Sequence, residues 1–398
     1  MSLDDRDVEV KGNDLLNVRI DFVCGGGIAV IESPKQIREL RRYGAIVRPV
    51  LTEMAQTFVS PLVFEWAAKQ QPKTELTGSA EHLSSAEALI ISPATLDLLA
   101  KSSLGIADSL ATTLIQSVLG RKPIIFVPSM HQSLRESPSY QEHRKKLEKL
   151  PHVFFVDGPL VEGKQKAPSF EDLAQQACHL VNAFRLKSAK KKKNSALVTL
   201  GATMSAVDDV RFLGNQSSGR TGLQIALALY RAGCEVELIA GLHQVQIPSY
   251  LQQYSAITHS EMSKTVERFK SNAPDLFVHS AAILDFEVKA PKKMKVTSDQ
   301  AMYLELKPTS KILDRVKWPR TKVIAFKLES RLTASELQKE VRDWLRGKKI
   351  DFVVANRLED VSAHSYRAQI FSGKAEKIAE VHSRRELADW FCASLVDS

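Results

Sequence analysis

Short apolar runs alternate with helix-patterned segments along this chain, and the alternation stops once and then restarts. Residues 18–23 form a strand-like run, followed by a glycine cluster and a helical segment at 33–43. Further strand-like runs lie at 45–51, 88–92, 123–127 and 152–156, with helical patterns at 96–104, 106–119 and 170–186. A lysine run, Lys187 and Lys190 to Lys193, breaks the rhythm. It resumes with strand-like runs at 196–200, 235–240, 276–280, 322–326 and 352–355 and a helical pattern at 221–232. Short buried strands separated by helices imply a parallel sheet covered on both faces. The expected architecture is therefore α/β, with two Rossmann-like three-layer domains. A chain of 398 residues exceeds one ordinary core. The pattern predicts an N-terminal tail at 1–17, a first domain at 18–186, a lysine-rich linker at 187–195 and a second domain at 196–398.

Bulk chemistry narrows the partners. Hydrophobic residues make up 44% and charged residues 25%, which excludes disorder as the main state. Net charge is +9, a balance that suits nucleic acid, an anionic membrane or a phosphorylated small molecule. The lysine run carries no interleaved aromatic residues, so nucleic acid is not an expected partner. No apolar run reaches the length of a membrane span, and the charged N-terminal segment lacks the apolar core of a signal peptide. Cys24, Cys178, Cys234 and Cys392 show neither metal-ligand nor Cys-x-x-Cys spacing, which predicts a reducing, cytoplasmic setting. Scattered Trp66, Trp318, Trp344 and Trp390 read as packing residues, as does Cys234.

The second half holds the more legible chemistry. After the run at 196–200 come Gly201-Ala202-Thr203, then Asp208, Val210 and Arg211, then Asn215-Gln216-Ser217-Ser218-Gly219-Arg220-Thr221-Gly222 opening a helix. A strand, a Gly/Ser-rich loop and a helix N-terminus together form an anion-binding arrangement. A helix cap by Ser217 or Ser218 explains the same residues without a ligand.

Residues 201–222 resemble the signature of phosphopantothenoylcysteine synthetases, in which a glycine-threonine turn leads to D-x-V-R and then to N-x-S-S-G-x-x-G. Gly201, Thr203, Asp208, Val210, Arg211, Asn215, Ser217, Ser218, Gly219 and Gly222 match, whereas Ala202, Ser205 and Gly214 depart from it. Ser280-Ala281-Ala282-Ile283-Leu284-Asp285-Phe286, Lys293-Met294-Lys295, residues 307–313, Phe326-Lys327-Leu328-Glu329 and Asp351-Phe352-Val353-Val354-Ala355-Asn356 continue the resemblance in order. It implies that the carboxylate of 4′-phosphopantothenate attacks the α-phosphate of CTP, or ATP in some branches. The amine of cysteine then displaces the nucleoside monophosphate. On this resemblance Asn215, Lys295 and Arg211 serve catalysis. Ala281, Ala282, Asp285, Lys293, Lys307, Phe326 and Lys348 take the nucleotide. Gly201, Thr203, Ser217, Ser218 and Gly219 bind substrate phosphate, and Asp285 helps to hold Mg²⁺.

The first half resembles the FMN-binding decarboxylases of phosphopantothenoylcysteine. Gly25-Gly26-Gly27-Ile28-Ala29 carries this likeness, with residues 51–62, Ser92-Pro93-Ala94-Thr95, residues 105–110 and Val127-Pro128-Ser129-Met130. FMN, where retained, is then expected on Gly26, Gly27, Thr52, Phe58 and Ser60. The chemical groups depart from that family. Ser79 stands where its histidine belongs, with His82 three places on; His131 replaces its asparagine; residues 156–169 hold no cysteine; and Asp97 replaces another asparagine. An impaired decarboxylase follows from those losses. A fully bifunctional enzyme and a non-enzymatic regulatory scaffold are the competing expectations. The resemblance also implies homo-oligomers and small-molecule partners.

Overall fold

The computed structural model describes residues 4–81, 83–192, 194–297 and 301–395. Lys193 of the lysine run and His82 lie outside them. The chain divides into two compact units, residues 1–192 and 193–398.

In the first unit, β1 (Arg19–Cys24), β2 (Ile46–Leu51), β3 (Ala88–Ala94), β4 (Ile124–Pro128) and β6 (Val153–Phe155) build a parallel sheet ordered β2-β1-β3-β4-β6. Every residue of β3 is buried, as a central strand covered on both faces requires. Covering helices are α1 (Ser33–Arg42), α2 (Glu53–Phe58), α3 (Pro61–Ala68), α4 (Leu96–Leu104), α5 (Leu110–Val118), α6 (Gln132–Arg135), α7 (Pro138–Glu148) and α8 (Phe170–Ser188). A small sheet joins β5 (Met130–His131) to the hairpin of β7 (Leu160–Val161) and β8 (Lys164–Gln165).

Three expectations need correction here. The helix expected at 106–119 begins only at Leu110, because Gly105 ends α4 at φ +78° and Ser109 starts α5 with a capping box to Thr112. The expected tail is a strap. Lys11 N and Gly12 N donate to Arg42 O (2.7 and 3.2 Å), Leu15 N donates to Tyr43 O (2.8 Å), and Leu15 is fully buried. The linker is shorter than its lysines suggest, since α8 runs to Ser188.

In the second unit, β9 (Ser195–Leu200), β12 (Glu235–Ala240), β13 (Gln252–Ser255), β14 (Leu276–His279), β17 (Lys322–Glu329), β18 (Phe352–Arg357), β19 (Ala368–Ser372) and β20 (Lys377–Val381) form one sheet. Its order is β13-β12-β9-β14-β17-β18-β19-β20. The expected parallel arrangement holds up to β18, after which β19 and β20 run antiparallel. Two hairpins, β10 (Met204–Ala206) with β11 (Phe212–Gly214) and β15 (Phe286–Val288) with β16 (Leu306–Pro308), stand apart from it. The helices are α9 (Arg220–Arg231), α10 (His259–Arg268), α11 (Ile312–Arg315), α12 (Ala334–Leu345) and α13 (Arg384–Leu395). No helix among the described residues is long and apolar enough to cross a membrane.

Candidate active site

In the second unit, β9 connects through α9 to β12 on one side, and the chain later returns to place β14 on its other side. The strand order therefore reverses between β9 and β14. In open α/β sheets ligands bind outside the carboxyl ends of the strands at such a point. The loops that leave β9 and β14 contain the motif residues.

These loops are laced together. Thr199 and His279 are register partners, and Thr199 Oγ1 lies 3.0 Å from His279 Nδ1. Ala281 N donates to Thr199 Oγ1 (3.2 Å), and Ala282 N donates to Gly201 O (2.8 Å). Burial pushes His279 down to about 4, so the ring is neutral near pH 7. Gly201 sits at φ +80°, and a Cβ there would lie 2.5 Å from Leu242 O. Thr203 is fully buried, and its Oγ1 accepts from Leu284 N (2.9 Å).

The next turn carries the cations. Asp208 has no exposed side-chain surface, and it accepts from Val210 N (2.8 Å), Arg211 N (2.7 Å), Arg211 Nη1 (3.0 Å) and Val296 N (3.2 Å). The hydrogen bond from Val210 N leads the causes that hold its carboxyl below the ordinary range. Arg211 Nη1 also reaches Val296 O (3.1 Å), and Lys292 N donates to Val207 O (3.0 Å). Asp208 and Arg211 thus dock the segment carrying exposed Lys293 and Lys295 onto the turn that leads to Asn215. Asn215 Nδ2 donates to Ile283 O (3.1 Å) and Ala282 O (3.4 Å), two residues short of Asp285.

Behind Asn215, α9 begins at Gly219 (φ +77°) with no side-chain cap, although Ser218 Oγ accepts from Arg220 N at 3.4 Å. The cap expected of Ser217 or Ser218 is thus weak, and first-turn N–H groups remain open to an anion. At Gly222 a Cβ would meet Ser280 Oγ at 2.6 Å and Leu200 Cβ at 2.7 Å, so the helix start packs directly on both strand ends.

The structure brings Gly201, Thr203, Arg211, Asn215, Ser217, Ser218, Gly219, Ala281, Ala282, Asp285, Lys293 and Lys295 to this end of the sheet. Lys307 is close in chain pairing, through β15 and β16, but is tied to Glu287 at 3.0 Å. Asp285 is two-thirds exposed and ion-paired with Lys311, a cation that motif reading did not single out. Phe326 is half-buried in β17, beside the hydrophobic core. Lys348 is not brought to the cluster. It follows α12 on the approach to the starting end of β18, with its ammonium 4.7 Å from the Trp344 ring centre and donating to Trp344 O (2.7 Å). The backbone donors of Ala281 and Ala282 are also spent inside the protein, so neither offers its N–H to a nucleotide. No group of three or more metal-ligating side chains occurs among the described residues.

The first unit repeats the device. β1 lies between β2 and β3, so the order reverses at β1 and β3, where Gly25 N donates to Pro93 O (3.2 Å). Gly26 is pressed on α2, a Cβ there lying 2.3 Å from Met54 Cβ. Thr52 and Ser60 cap α2 and α3, and Thr95 caps α4. Ile28, Met54 and Phe58 are exposed beside these polar groups. Exposed apolar side chains thus stand next to helix starts, with Gly27 at the entry to a short 3-10 helix. Lys101 Nζ contacts both Asp97 (3.4 Å) and Asp108 (3.0 Å), so the acid at Asp97 is partly offset. His131 caps α6, its Nδ1 accepting from Ser133 N (3.2 Å).

Residues 191–397 match the DNA/pantothenate metabolism flavoprotein C-terminal domain, and residues 9–182 match the flavoprotein domain. The coenzyme A biosynthesis bifunctional protein CoaBC of Thermococcus kodakarensis is 33% identical over 390 residues, covering 95% of each chain. The chain belongs to this family. The CoaBC protein of Methanocaldococcus jannaschii is 29% identical over 389 residues, covering 93% of each chain. The crystal structure of the DNA/pantothenate metabolism flavoprotein from Streptococcus pneumoniae is 26% identical and covers 51% of this chain and 99% of its own, at a TM-score of 0.47. Membership makes the chain an enzyme of coenzyme A biosynthesis, with an acid–amino-acid ligase in its second unit.

Against this family background, motif reading overlooked Thr199 and His279. Both sit inside strands, where a polar residue looks like an ordinary member of an apolar run. The available signal was a threonine and a histidine at the last turns of two strands that end in Gly/Ser/Ala loops.

Proposed function

We propose that the second unit joins 4′-phosphopantothenate to cysteine, with CTP (or ATP) as co-substrate, and that the first unit is a flavoprotein with impaired decarboxylase chemistry. One observation carries the ligase reading: the reversal of strand order at β9 and β14 gathers Asn215, the Lys293–Lys295 pair and the open start of α9 at one sheet end.

The acid's carboxylate attacks the nucleotide's α-phosphorus, and the bond to pyrophosphate breaks. The amine of cysteine then attacks the acyl carbon, and the nucleoside monophosphate leaves. Charge neutralisation and positioning dominate such chemistry. Lys293 and Lys295, fixed by the Asp208–Arg211 pair, face the crowded negative charge. Asn215 turns its amide from the loop carbonyls to the oxygen of the acyl intermediate. The first turn of α9, with Ser217, Ser218 and Gly219, receives phosphate. Mg²⁺ on the triphosphate would supply further neutralisation, and Asp285, once released from Lys311, would be the carboxylate to hold it.

In the first unit Gly26, Gly27, Thr52, Phe58 and Ser60 would hold FMN, which supplies the oxidative step of decarboxylation when bound. Ser79, His131 and a cysteine-free 156–169 segment leave no matching base, carboxylate donor or acid there. One observation favours retained activity: His131 accepts from Ser133 N through Nδ1, which leaves its other ring nitrogen as an open donor.

Pyrophosphate release from phosphopantothenate, cysteine and Mg²⁺, measured with CTP and with ATP, tests the ligase. No release with either nucleotide would favour a regulatory scaffold instead. CO₂ release from phosphopantothenoylcysteine by a yellow preparation would overturn the impaired-decarboxylase reading. Asn215→Ala is expected to release pyrophosphate yet stall before the amide forms; unimpaired ligation would remove its assigned role.

A further inference from the structure

Arg384 begins α13, far from the motifs in sequence, yet its side chain lies against the first turn of α9. Its Nε donates to Thr221 Oγ1 (3.2 Å), its Nη2 donates to Ser362 O (2.7 Å), and its guanidinium carbon stands 4.9 Å from the centre of the Tyr366 ring. Tyr366 is itself buried and bonded to Asn356 Oδ1 (3.4 Å). The guanidinium plane is therefore fixed by neutral partners on several sides, with Nη1 uncommitted. Arg220, exposed, lies on the same helix start. Neither arginine has a carboxylate ion-pair partner among the described residues.

That arrangement is electrostatically unusual. The start of a helix carries positive partial charge and ordinarily attracts carboxylates. Here two cations are set beside it, one of them half-buried and held, and no carboxylate among the described residues is ion-paired with either. A held, half-buried guanidinium with an open donor is the preferred receptor for a phosphate group.

The position also says which phosphate. The lysines ride on the segment held by Asp208 and Arg211, whereas Arg384 is held on the first turn of α9 at Thr221, six residues after Asn215. A substrate with a carboxylate at one end and a phosphate at the other would set its carboxylate by Asn215 and its phosphate by Thr221 and Arg384. We propose that Arg384 is a specificity-determining residue that receives the phosphate monoester of the acid substrate. The assignment rests on the ligase reading given above.

The test uses the full chain at saturating nucleotide, with 4′-phosphopantothenate and pantothenate compared as acids. Arg384→Gln is expected to raise the KM for the phosphorylated acid at least tenfold. It should leave kcat within about threefold and kcat/KM for pantothenate within about twofold, because that acid has no phosphate to lose. Arg384→Lys, which keeps charge but not the planar fork, should fall between, and it decides the matter if the glutamine variant does not fold. Equal losses with both acids, or a rise confined to the nucleotide KM, would overturn the assignment. A separate arm needs no turnover. Inorganic phosphate should raise the melting temperature of the wild type and raise that of Arg384→Gln less; equal rises count against Arg384. Wild-type protein that shows this phosphate effect but releases no pyrophosphate would place the failure in the ligase reading and so overturn the acid-substrate assignment with it.

Discussion

Replacing Thr203 by Val removes one hydroxyl and changes the shape of a fully buried side chain very little. Its Oγ1 is the acceptor for Leu284 N at 2.9 Å, and Leu284 is itself buried. In the variant that N–H has no acceptor and no water to turn to. A buried donor left unpaired costs about 1–3 kcal/mol. Taking roughly 2 kcal/mol, and about 2–4 °C per kcal/mol for a domain of this size, the second unit should melt roughly 4–8 °C lower. The same bond positions the loop bearing Asp285, which is further held by Thr309 Oγ1 on Leu284 O (2.6 Å) and Thr309 N on Asp285 O (2.9 Å). The nucleotide KM should therefore rise about five- to tenfold. Thr203→Ser keeps the hydroxyl and loses a methyl, at about 1 kcal/mol, and should leave that KM within about twofold. Tryptophan fluorescence follows the unit, since Trp318, Trp344 and Trp390 all lie in it. If Thr203→Val melts with the wild type and binds nucleotide normally, while Thr203→Ser is the weaker protein, the hydroxyl does not organise this loop.

Further outcomes follow from neighbouring groups. Folded His279 resists protonation down to about 4, whereas an unfolded histidine takes its proton near 6.5, so the unfolded chain binds more protons between those values. Stability is fully present above about pH 6.5 and is lost toward pH 4, at up to roughly 1.4 kcal/mol per pH unit. His279→Gln should flatten that acid slope in a pH series of melts, and an unchanged slope would refute it. Lys348→Ala should leave the nucleotide KM within about twofold, because the residue stands over Trp344 away from the loop cluster; a large rise would return it to the site. Asp97→Asn removes one of two carboxylates around Lys101, so flavin absorbance retained through gel filtration should increase a few-fold, and no gain would show that this charge does not oppose the cofactor phosphate.

What the sequence made legible was governed by periodicity. β12 has the expected bounds, and β3 shows as the apolar run from Ala88 to Ile91 because both its faces are covered. The edge of the second sheet was not legible in the same way. β20 is exposed or half-buried up to Val381, and its Lys377 and Glu380 resemble a surface loop. The strap before β1 was hidden by charge, since Lys11 is anchored to buried Glu39 at 2.6 Å by a partner distant in sequence. At the candidate site, the motifs lie on the loops that leave β9 and β14, but the sequence does not show which of their atoms are open. Ala281 and Ala282 look like nucleotide contacts in sequence, but their N–H groups serve Thr199 and Gly201. Hydrogen bonds between residues some eighty places apart leave no periodic trace.

The same internal bonding bears on how the ligase would work. The loops after β9 and β14 are tied to each other by several bonds, Ala282 N to Gly201 O, Thr203 N to Ala282 O and Leu284 N to Thr203 Oγ1 among them, without any ligand. Lys293 and Lys295 are exposed and the first turn of α9 has no side-chain cap, so on the proposed reading they would bind charge without the loops moving. Asn215 is different. Its amide is shared between Ala282 O and Ile283 O, carbonyls of the loop it would have to leave in order to reach an acyl oxygen in the proposed reaction. Turning it away frees two exposed-edge carbonyls that water can take over, so the exchange costs little while the site is wet. Once substrate excludes water, a neutral donor aimed at a developing negative oxygen gains more than the carbonyls lose. On the proposed reading, an asparagine in this place would therefore tie its engagement to occupancy of the site, which a permanently charged lysine could not do.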